Sequence, residues 1–191
     1  MNNETLIQAE NIAFKINGNK LFHNLSFALE KGEALQIVGS NGSGKSTLIR
    51  IILGITKQTK GNIDYKNNIN VSYLGHKNAL KSYLSVYDNL MLQELNNHKE
   101  LNILLERLEL KNLLDITVGN LSYGQQKKLA MLRVFLNESN LIVLDEPFVG
   151  LDSKAFDIVQ DFLIKEINSG KSLIFTSHID CNIESKILNL R

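Results

Sequence analysis

Residues 35–53, LQIVGSNGSGKSTLIRIIL, contain an apolar run, a glycine-rich segment and a second apolar run in immediate succession. This order predicts a strand, a tight turn and a helix. Gly39, Gly44, Lys45 and Ser46 fit the pattern G-x-x-x-x-G-K-[ST], in which successive backbone N–H groups surround a phosphate. The helix begins in the same turn, so the positive end of its dipole points at the same anion. The stretch therefore predicts a phosphate-binding loop.

The loop predicts a nucleotide site with magnesium. Lys45 is expected to reach the terminal phosphates, and the Ser46 hydroxyl is expected to bind Mg²⁺. A GTPase is disfavoured, because neither a guanine-selecting Asn-Lys-x-Asp nor a switch Asp-x-x-Gly is found. ATP is the expected nucleotide, and the loop residues expected to bind it are Gly39, Ser40, Asn41, Gly42, Ser43, Gly44, Lys45, Ser46 and Thr47.

Length and composition favour a single domain without a strong charge, a disulfide or a membrane-spanning segment. The chain has 191 residues and a net charge of +1, so it carries no polyanion-binding signature and nucleic acid is not an expected partner. Its single cysteine, Cys181, cannot form an intramolecular disulfide, which suits a reducing compartment. Neither a basic leader nor a run of about 18 apolar residues is found. The chain is expected to be soluble and to reach a membrane only through a partner.

The segments that flank the loop predict strands. Apolar alternation over residues 5–28, with a turn at 17–19, predicts a small antiparallel sheet. Phe14 and Ile16 lie where an adenine ring could rest on an apolar side chain, although either could equally be plain core. A second strand pair is expected from residues 61–65 and 69–74, joined by a turn at Asn67 and Asn68.

The region between residues 76 and 136 reads as helical. Apolar residues at helical spacing indicate an amphipathic helix; these are Leu101, Leu104, Leu105 and Leu108. Helices inserted between strands predict a separate lobe. The fold class is therefore α/β: a phosphate-loop NTPase core with a parallel sheet, a small N-terminal antiparallel subdomain and an inserted helical subdomain, all within one domain over residues 1–191.

The run LIVLDEP, residues 141–147, predicts a central parallel strand that ends in two carboxylates. Asp145 is expected to hold Mg²⁺ with Ser46, and Glu146 is the candidate base for the attacking water. Pro147 disfavours the α region for the preceding residue, so Glu146 is expected to be extended. His178 follows another strand and is expected to polarise the same water.

The segment LSYGQ, residues 121–125, opens a helix. Ser122 and Gly124 could supply a hydroxyl and free N–H groups to an anion. An ordinary helix cap is the alternative, because serine is a preferred N-cap residue.

These motifs together resemble the ATPase subunits of ABC transporters. GSNGSGKST resembles their Walker A loop, LSYGQ their signature, LIVLDEP their Walker B strand, residues 150–152 their D-loop and His178 their switch histidine. The resemblance implies a homodimer that closes on ATP, each ATP lying between one Walker A loop and the partner's signature. The signature residues are Ser122, Tyr123, Gly124 and Gln125.

Departures from the family pattern point to a subgroup. His76 stands where these ATPases usually carry a glutamine that helps to bind Mg²⁺, and Tyr123 stands where glycine is usual. The short sequence YLGH and the loop sequence look most like the ATPases of cytochrome c maturation, which are also described as haem exporters. The resemblance implies that this chain is a peripheral protein on the cytoplasmic face of the inner membrane. It also implies an integral membrane subunit that docks near residues 76–90. The apolar residues expected to line that groove are Leu80, Tyr83, Leu84, Val86 and Leu90.

Three alternatives remain open from the sequence. The ATPase could serve an exporter for another substrate, or a soluble ABC-type protein in DNA repair or translation. The latter usually carry two ATPase units or a long coiled-coil insertion, and this chain has neither. A binding module that has lost turnover is disfavoured by the presence of Lys45, Asp145, Glu146 and His178.

Overall fold

A computed structural model describes residues 4–66 and 68–190. The fold contains both strands and helices and is of the α/β class, as the sequence predicts. The strands are β1 (Thr5–Ile16), β2 (Asn19–Glu30), β3 (Ala34–Val38), β4 (Lys60–Tyr65), β5 (Val71–Leu74), β6 (Leu141–Asp145), β7 (Ser172–Thr176) and β8 (Lys186–Asn189). The helices are α1 (Lys45–Ile52), α2 (Val86–Leu92), α3 (Leu101–Arg107), α4 (Tyr123–Leu136) and α5 (Ser153–Asn168).

The N-terminal strands form the predicted antiparallel sheet, in the order β2-β1-β4. The predicted pairing of residues 61–65 with residues 69–74 is wrong. β4 pairs with β1, placing Tyr65 opposite Ile7, whereas β5 joins the other sheet beside β6. Apolar alternation shows that a strand has a buried face but does not identify its neighbour. Of the turn predicted between them, Asn67 lies outside the described residues.

The second sheet is parallel, in the order β5-β6-β7-β3-β8. Every residue of β6 and β7 is buried, as expected for strands covered on both faces. The carboxyl ends of neighbouring parallel strands lie at the same edge of the sheet. The residues that follow β3, β7 and β6 therefore lie close together at that edge. Asp145 stands directly opposite Thr176 in the β6–β7 pairing.

The helices between β5 and β6 share a hydrophobic cluster with the parallel sheet. The predicted stripe at Leu101, Leu104, Leu105 and Leu108 is buried in that cluster. Val86 and Leu90 of α2 are also buried there, with 0% and 1% of their surface exposed. The expectation that these two residues line an open groove is therefore wrong, because they form the inner face of α2. In the described ranges, 4–66 and 68–190, no helix has the length and hydrophobicity to cross a bilayer.

Candidate functional site

The phosphate loop between β3 and α1 is packed so closely that two of its positions require glycine. A Cβ atom added to Gly39 would lie 2.6 Å from the Ser43 Oγ atom and 2.9 Å from the Leu190 carbonyl oxygen. Gly44 has a φ of +101°, and a Cβ atom there would lie 2.7 Å from the Leu21 side chain. The loop is thus held between the N-terminal sheet and the end of the chain's last strand.

The Lys45 ammonium is held at the mouth of this loop. Its Nζ atom donates hydrogen bonds to the carbonyl oxygens of Gly39, at 2.8 Å, and Ser40, at 3.2 Å. The same atom lies 3.0 Å from His178 Nε2. Because an ammonium only donates, Nε2 accepts here and the imidazole proton lies on Nδ1. The 3.5 Å separation between Nε2 and Glu146 Oε1 is then a contact without a hydrogen bond.

Asp145 is fixed at the end of β6 by the neighbouring strand. Its side chain is buried, with 3% of the residue exposed. The Thr176 hydroxyl donates to Asp145 Oδ1 at 2.8 Å, and Thr176 Oγ1 itself accepts from the Glu146 N–H at 2.8 Å. One threonine on β7 therefore holds both carboxylate-bearing residues.

Glu146 has one carboxylate oxygen engaged and one without a donor. Oε2 accepts from the His178 N–H at 3.3 Å. Within the described part of the chain, Oε1 is buried and has no hydrogen-bond partner. A buried acceptor in this state is costly, at about 1–3 kcal/mol, unless it serves a ligand or water. Oε1 is therefore positioned to accept a proton from a bound water.

The backbone of Glu146 differs from the sequence expectation. Pro147 predicts an extended backbone for the residue before it, but Glu146 has a φ of +53°. The left-handed region costs a non-glycine residue about 1–3 kcal/mol. The hydrogen bonds to Thr176 and His178 offset that strain and override the local preference.

A buried lysine adds positive charge behind the carboxylates. Lys127 of α4 has 1% of its surface exposed. Burial lowers the pKa of its ammonium, while the negative charges of Asp145 and Glu146 act in the opposite direction. This residue gave no sequence signal, because a lysine in a helix is usually solvated.

Six of the nine predicted loop residues line one cleft of about 510 Å³, whereas Gly39, Ser40 and Ser43 do not line it. It brings the loop together with both carboxylates and with His76 and His178. Phe14 does not line it, whereas Ile16 and Leu21 do. The lining residues are Ile16, Leu21, Asn41, Gly42, Gly44, Lys45, Ser46, Thr47, His76, Asp145, Glu146, Val149 and His178.

The donor set suits Mg²⁺ bound together with phosphate. Among the described residues, no group of three or more acidic, histidine or cysteine side chains could hold a metal ion by itself. Mg²⁺ commonly uses only one or two protein ligands, with phosphate oxygens and waters completing its shell. Ser46 and Asp145, which share the cleft, fit that requirement.

The signature tip, which we define as Ser122, Tyr123, Gly124 and Gln125, lies apart from this cleft. All four residues are described, and none lines the cleft. Ser122 caps α4: its hydroxyl accepts from the Gln125 N–H at 3.2 Å, and Gln125 Oε1 accepts from the Ser122 N–H at 2.9 Å. The cap uses an acceptor position of the exposed hydroxyl, so its proton stays available to an anion.

Two functional features had no clear sequence signal. Thr176 matches none of the motifs, although it stands only two residues before His178. Tyr123 and Gly124 contact Gly150 only because the fold brings two distant segments together, and motif spacing in the sequence does not reveal such a contact.

Comparison with known proteins gives a consistent result. The profile of the ABC transporter family matches residues 22–149. A cytochrome c biogenesis ATP-binding export protein CcmA from Idiomarina loihiensis is 34% identical over 189 residues, covering 92% of this chain and 87% of the relative. A protein of the same description from Brucella abortus is 32% identical over 191 residues, covering 95% and 89% of the two chains.

Solved structures share the fold. An ATP-binding subunit of an ABC transporter superposes with a TM-score of 0.83 at 22% identity, covering 97% of this chain and 86% of the other. A dimeric ATP-binding cassette with bound ADP and phosphate gives a TM-score of 0.82 at 23% identity, covering 97% and 94%.

Proposed function

This chain belongs to the ABC transporter family of ATP-binding subunits, and from its similarity to CcmA proteins we propose that it powers an export step in cytochrome c biogenesis. As a member of the family it binds and hydrolyses ATP. The observation that carries the proposal is the near full-length similarity to several CcmA proteins. Haem is the cargo that this similarity favours over another exported substrate or a soluble role in DNA repair or translation.

The proposed hydrolytic roles follow from the arrangement of the cleft. Lys45 and the loop N–H groups bind the phosphates, and Glu146 accepts the proton of the attacking water. His178 contacts the terminal phosphate and stabilises that water. When bound with ATP, Mg²⁺ supplies positive charge to the phosphates. Ser46 and Asp145 are the residues that would hold it, with His76 as a further candidate because it lines the same cleft.

We further propose that two copies enclose each ATP, the cleft of one facing the signature tip of the other. Support comes from the exposed Ser122 hydroxyl, whose proton is available, and from the separation of the tip from the cleft of its own chain. A phosphate contacted by Lys45 of one copy and Ser122 of the other would be held from both sides.

The dimer is tested with a Glu146→Gln variant, in which slow hydrolysis should trap the closed state. Light scattering after size exclusion should report a dimer with Mg²⁺ and ATP, and a monomer without nucleotide. Adding Ser122→Arg should keep the protein monomeric while monomer ATP binding is retained. A double variant that still dimerises on ATP would exclude the composite site.

A membrane subunit is proposed to dock on the outer side of α2. Because Val86 and Leu90 face inward, the surface available near residues 76–90 is formed by Tyr83, with 73% exposed, Tyr87, with 45%, and neighbouring Met91, with 49%. Asn89 orders the segment that carries Tyr83: its side chain bonds to the backbone of Lys81 at both N–H and carbonyl. Exposed aromatic residues on an ordered segment are common anchors of interfaces.

Photocrosslinking tests this surface. A photoreactive amino acid at position 83 should capture an integral membrane protein in native membranes, while one at Ile103, which is exposed on α3, should not. Capture from position 103 alone would move the docking surface elsewhere. Washing these membranes at alkaline pH should release the chain, as expected for a peripheral subunit.

The cellular role is tested genetically. Deleting the gene in its native host should abolish haem-stained c-type cytochromes, and the wild-type gene should restore them. The Glu146→Gln gene, at matched protein level, should fail to do so. Normal c-type cytochromes in the deletion strain would exclude the proposed role and favour another exported substrate.

A further inference from the structure

Tyr123 of the signature tip lies directly against Gly150. A Cβ atom added to Gly150 would lie 2.4 Å from Tyr123 Cδ1 and 2.5 Å from Cε1. Such distances are far below van der Waals contact, so the ring covers the position that a side chain would fill. Gly150 also has a φ of +81°, which independently favours glycine.

Gly150 is held from a second side by the first turn of α4. A Cβ atom on Gly124 would lie 2.6 Å from the Gly150 carbonyl oxygen. The two glycines therefore approach each other backbone to backbone, with the Tyr123 ring alongside. The contact joins the start of α4 to the turn at residues 150–152.

An ion pair joins the same two segments one helical turn further on. Lys128 Nζ lies 2.6 Å from Asp152 Oδ2, and the Lys128 side chain is 8% exposed. Asp152 in turn caps α5 by accepting from the Ala155 N–H at 2.8 Å. The Lys128 ammonium and this cap lower the pKa of the Asp152 carboxyl.

We propose that the signature tip and the turn at residues 150–152 act as one rigid unit, in which Tyr123 is a positioning residue for the Ser122 hydroxyl. The proposal rests on the composite ATP site proposed above. The first turn of a helix lacks half of its backbone hydrogen bonds and is prone to fray. The Tyr123 ring restrains that turn against Gly150, so Ser122 loses less conformational freedom when a second copy binds.

Loss of the Tyr123 ring should affect dimer closure and no earlier step. The cleft that binds ATP in one copy does not include Tyr123. Loss of the ring should leave ATP binding to the monomer unchanged and weaken only the association of two ATP-loaded copies. Reduced turnover should then recover as the protein concentration rises, which a misfolded or damaged ATP site would not do.

The experiment compares Tyr123→Ala, Tyr123→Phe and, as a matched exposed control, Ile103→Ala, each in the full chain with and without Glu146→Gln. Sedimentation with Mg²⁺ and ATP should show that Tyr123→Ala needs roughly tenfold more protein to reach half-dimer, in line with the cost of ordering an interface side chain. Tyr123→Phe and Ile103→Ala should match the background. ATP affinity of the monomer, measured with a fluorescent ATP analogue, should be unchanged in all three.

The outcomes distinguish the positioning role of Tyr123 from the composite ATP site on which that role rests. A Glu146→Gln background that never dimerises on ATP removes both proposals. A background that dimerises while Tyr123→Ala dimerises equally well removes the positioning role alone. A defect in Tyr123→Phe as large as that in Tyr123→Ala removes it too, because the ring contact is kept. A loss of monomer ATP binding in Tyr123→Ala also contradicts it.

Discussion

The Thr176 hydroxyl donates a 2.8 Å hydrogen bond to Asp145 Oδ1, across the ends of two neighbouring parallel strands. The same hydroxyl oxygen accepts from the Glu146 N–H. Thr176 is fully buried, so this single group orients both carboxylate residues, Asp145 and Glu146. Neither carboxylate is positioned by its own strand alone.

Replacing Thr176 with valine keeps the shape of the side chain and removes both hydrogen bonds. We expect turnover to fall by about 10–100-fold, because small misplacements of reacting groups have effects of that size. Thr176→Ser should retain most of the activity, since it keeps the hydroxyl. Steady-state ATPase rates for the two variants provide the measurement, and equal rates would show that the hydroxyl is dispensable.

Glu146→Gln keeps the size of the side chain but removes the carboxylate that we propose as the base. Turnover should fall by about 10²–10⁴-fold, the usual contribution of a general base, while ATP affinity stays the same. Single-turnover hydrolysis and equilibrium nucleotide binding separate the two effects. Unchanged turnover would remove Glu146 from this role and direct attention to His178.

Much of the site could be predicted because its residues follow parallel strands. The apolar run of β6 indicated a central strand, and the position of Asp145 and Glu146 at its end placed them at the ligand-binding edge. Lys45 and His178 follow β3 and β7, and β7 lies between β3 and β6 in the sheet. Local sequence patterns suffice to predict the position of a site residue where that position follows from the direction of its strand.

The remaining features depend on tertiary contacts. Glu146 adopts a positive φ because Thr176 and His178 bind its amide and carboxylate, which outweighs the effect of Pro147. The burial of Val86 and Leu90 depends on which side of α2 meets the core, and a helix this short does not reveal that in its sequence. The approach of Tyr123 to Gly150 joins segments that are distant in the chain.

Asp152 combines a helix cap with an ion pair, and two substitutions separate them. Asp152→Asn keeps the cap acceptor toward the Ala155 N–H and loses the charge that pairs with Lys128. Asp152→Ala loses both and should be less stable than Asp152→Asn by about 1 kcal/mol, the usual effect of losing a cap. Urea unfolding of both variants measures the difference. Equal stability would show that the cap contributes nothing.

The pair between Glu33 and Lys186 should make stability depend on pH. Burial raises the pKa of Glu33, but the Lys186 ammonium at 2.7 Å and the Glu30 N–H together bring it below the ordinary 4.5. A carboxyl with a lowered folded pKa stabilises the fold above pH 4.5 and loses that contribution as the pH falls through the folded value.

Glu33→Gln should therefore lower the free energy of unfolding at pH 7 by at most about 1 kcal/mol, the range for an ion pair that water reaches. The difference between wild type and variant should shrink towards pH 3. Urea unfolding at both pH values tests this, and a difference that is equal at pH 7 and pH 3 would contradict it.

Ile16 presents an aliphatic surface to the cleft, and we expect the nucleotide base to rest on it. It lines the cleft with 48% of its surface exposed, whereas Phe14 packs towards Phe22, with ring centroids 6.2 Å apart. An aromatic ring stacks on a base with about 1–3 kcal/mol more stabilisation than a truncated side chain, so Ile16→Tyr should tighten ATP binding by up to about tenfold. Ile103→Tyr on α3 is the control for added aromatic surface. Titration with a fluorescent ATP analogue measures both affinities, and an Ile16→Tyr variant that binds no tighter than the control would place the base elsewhere in the cleft.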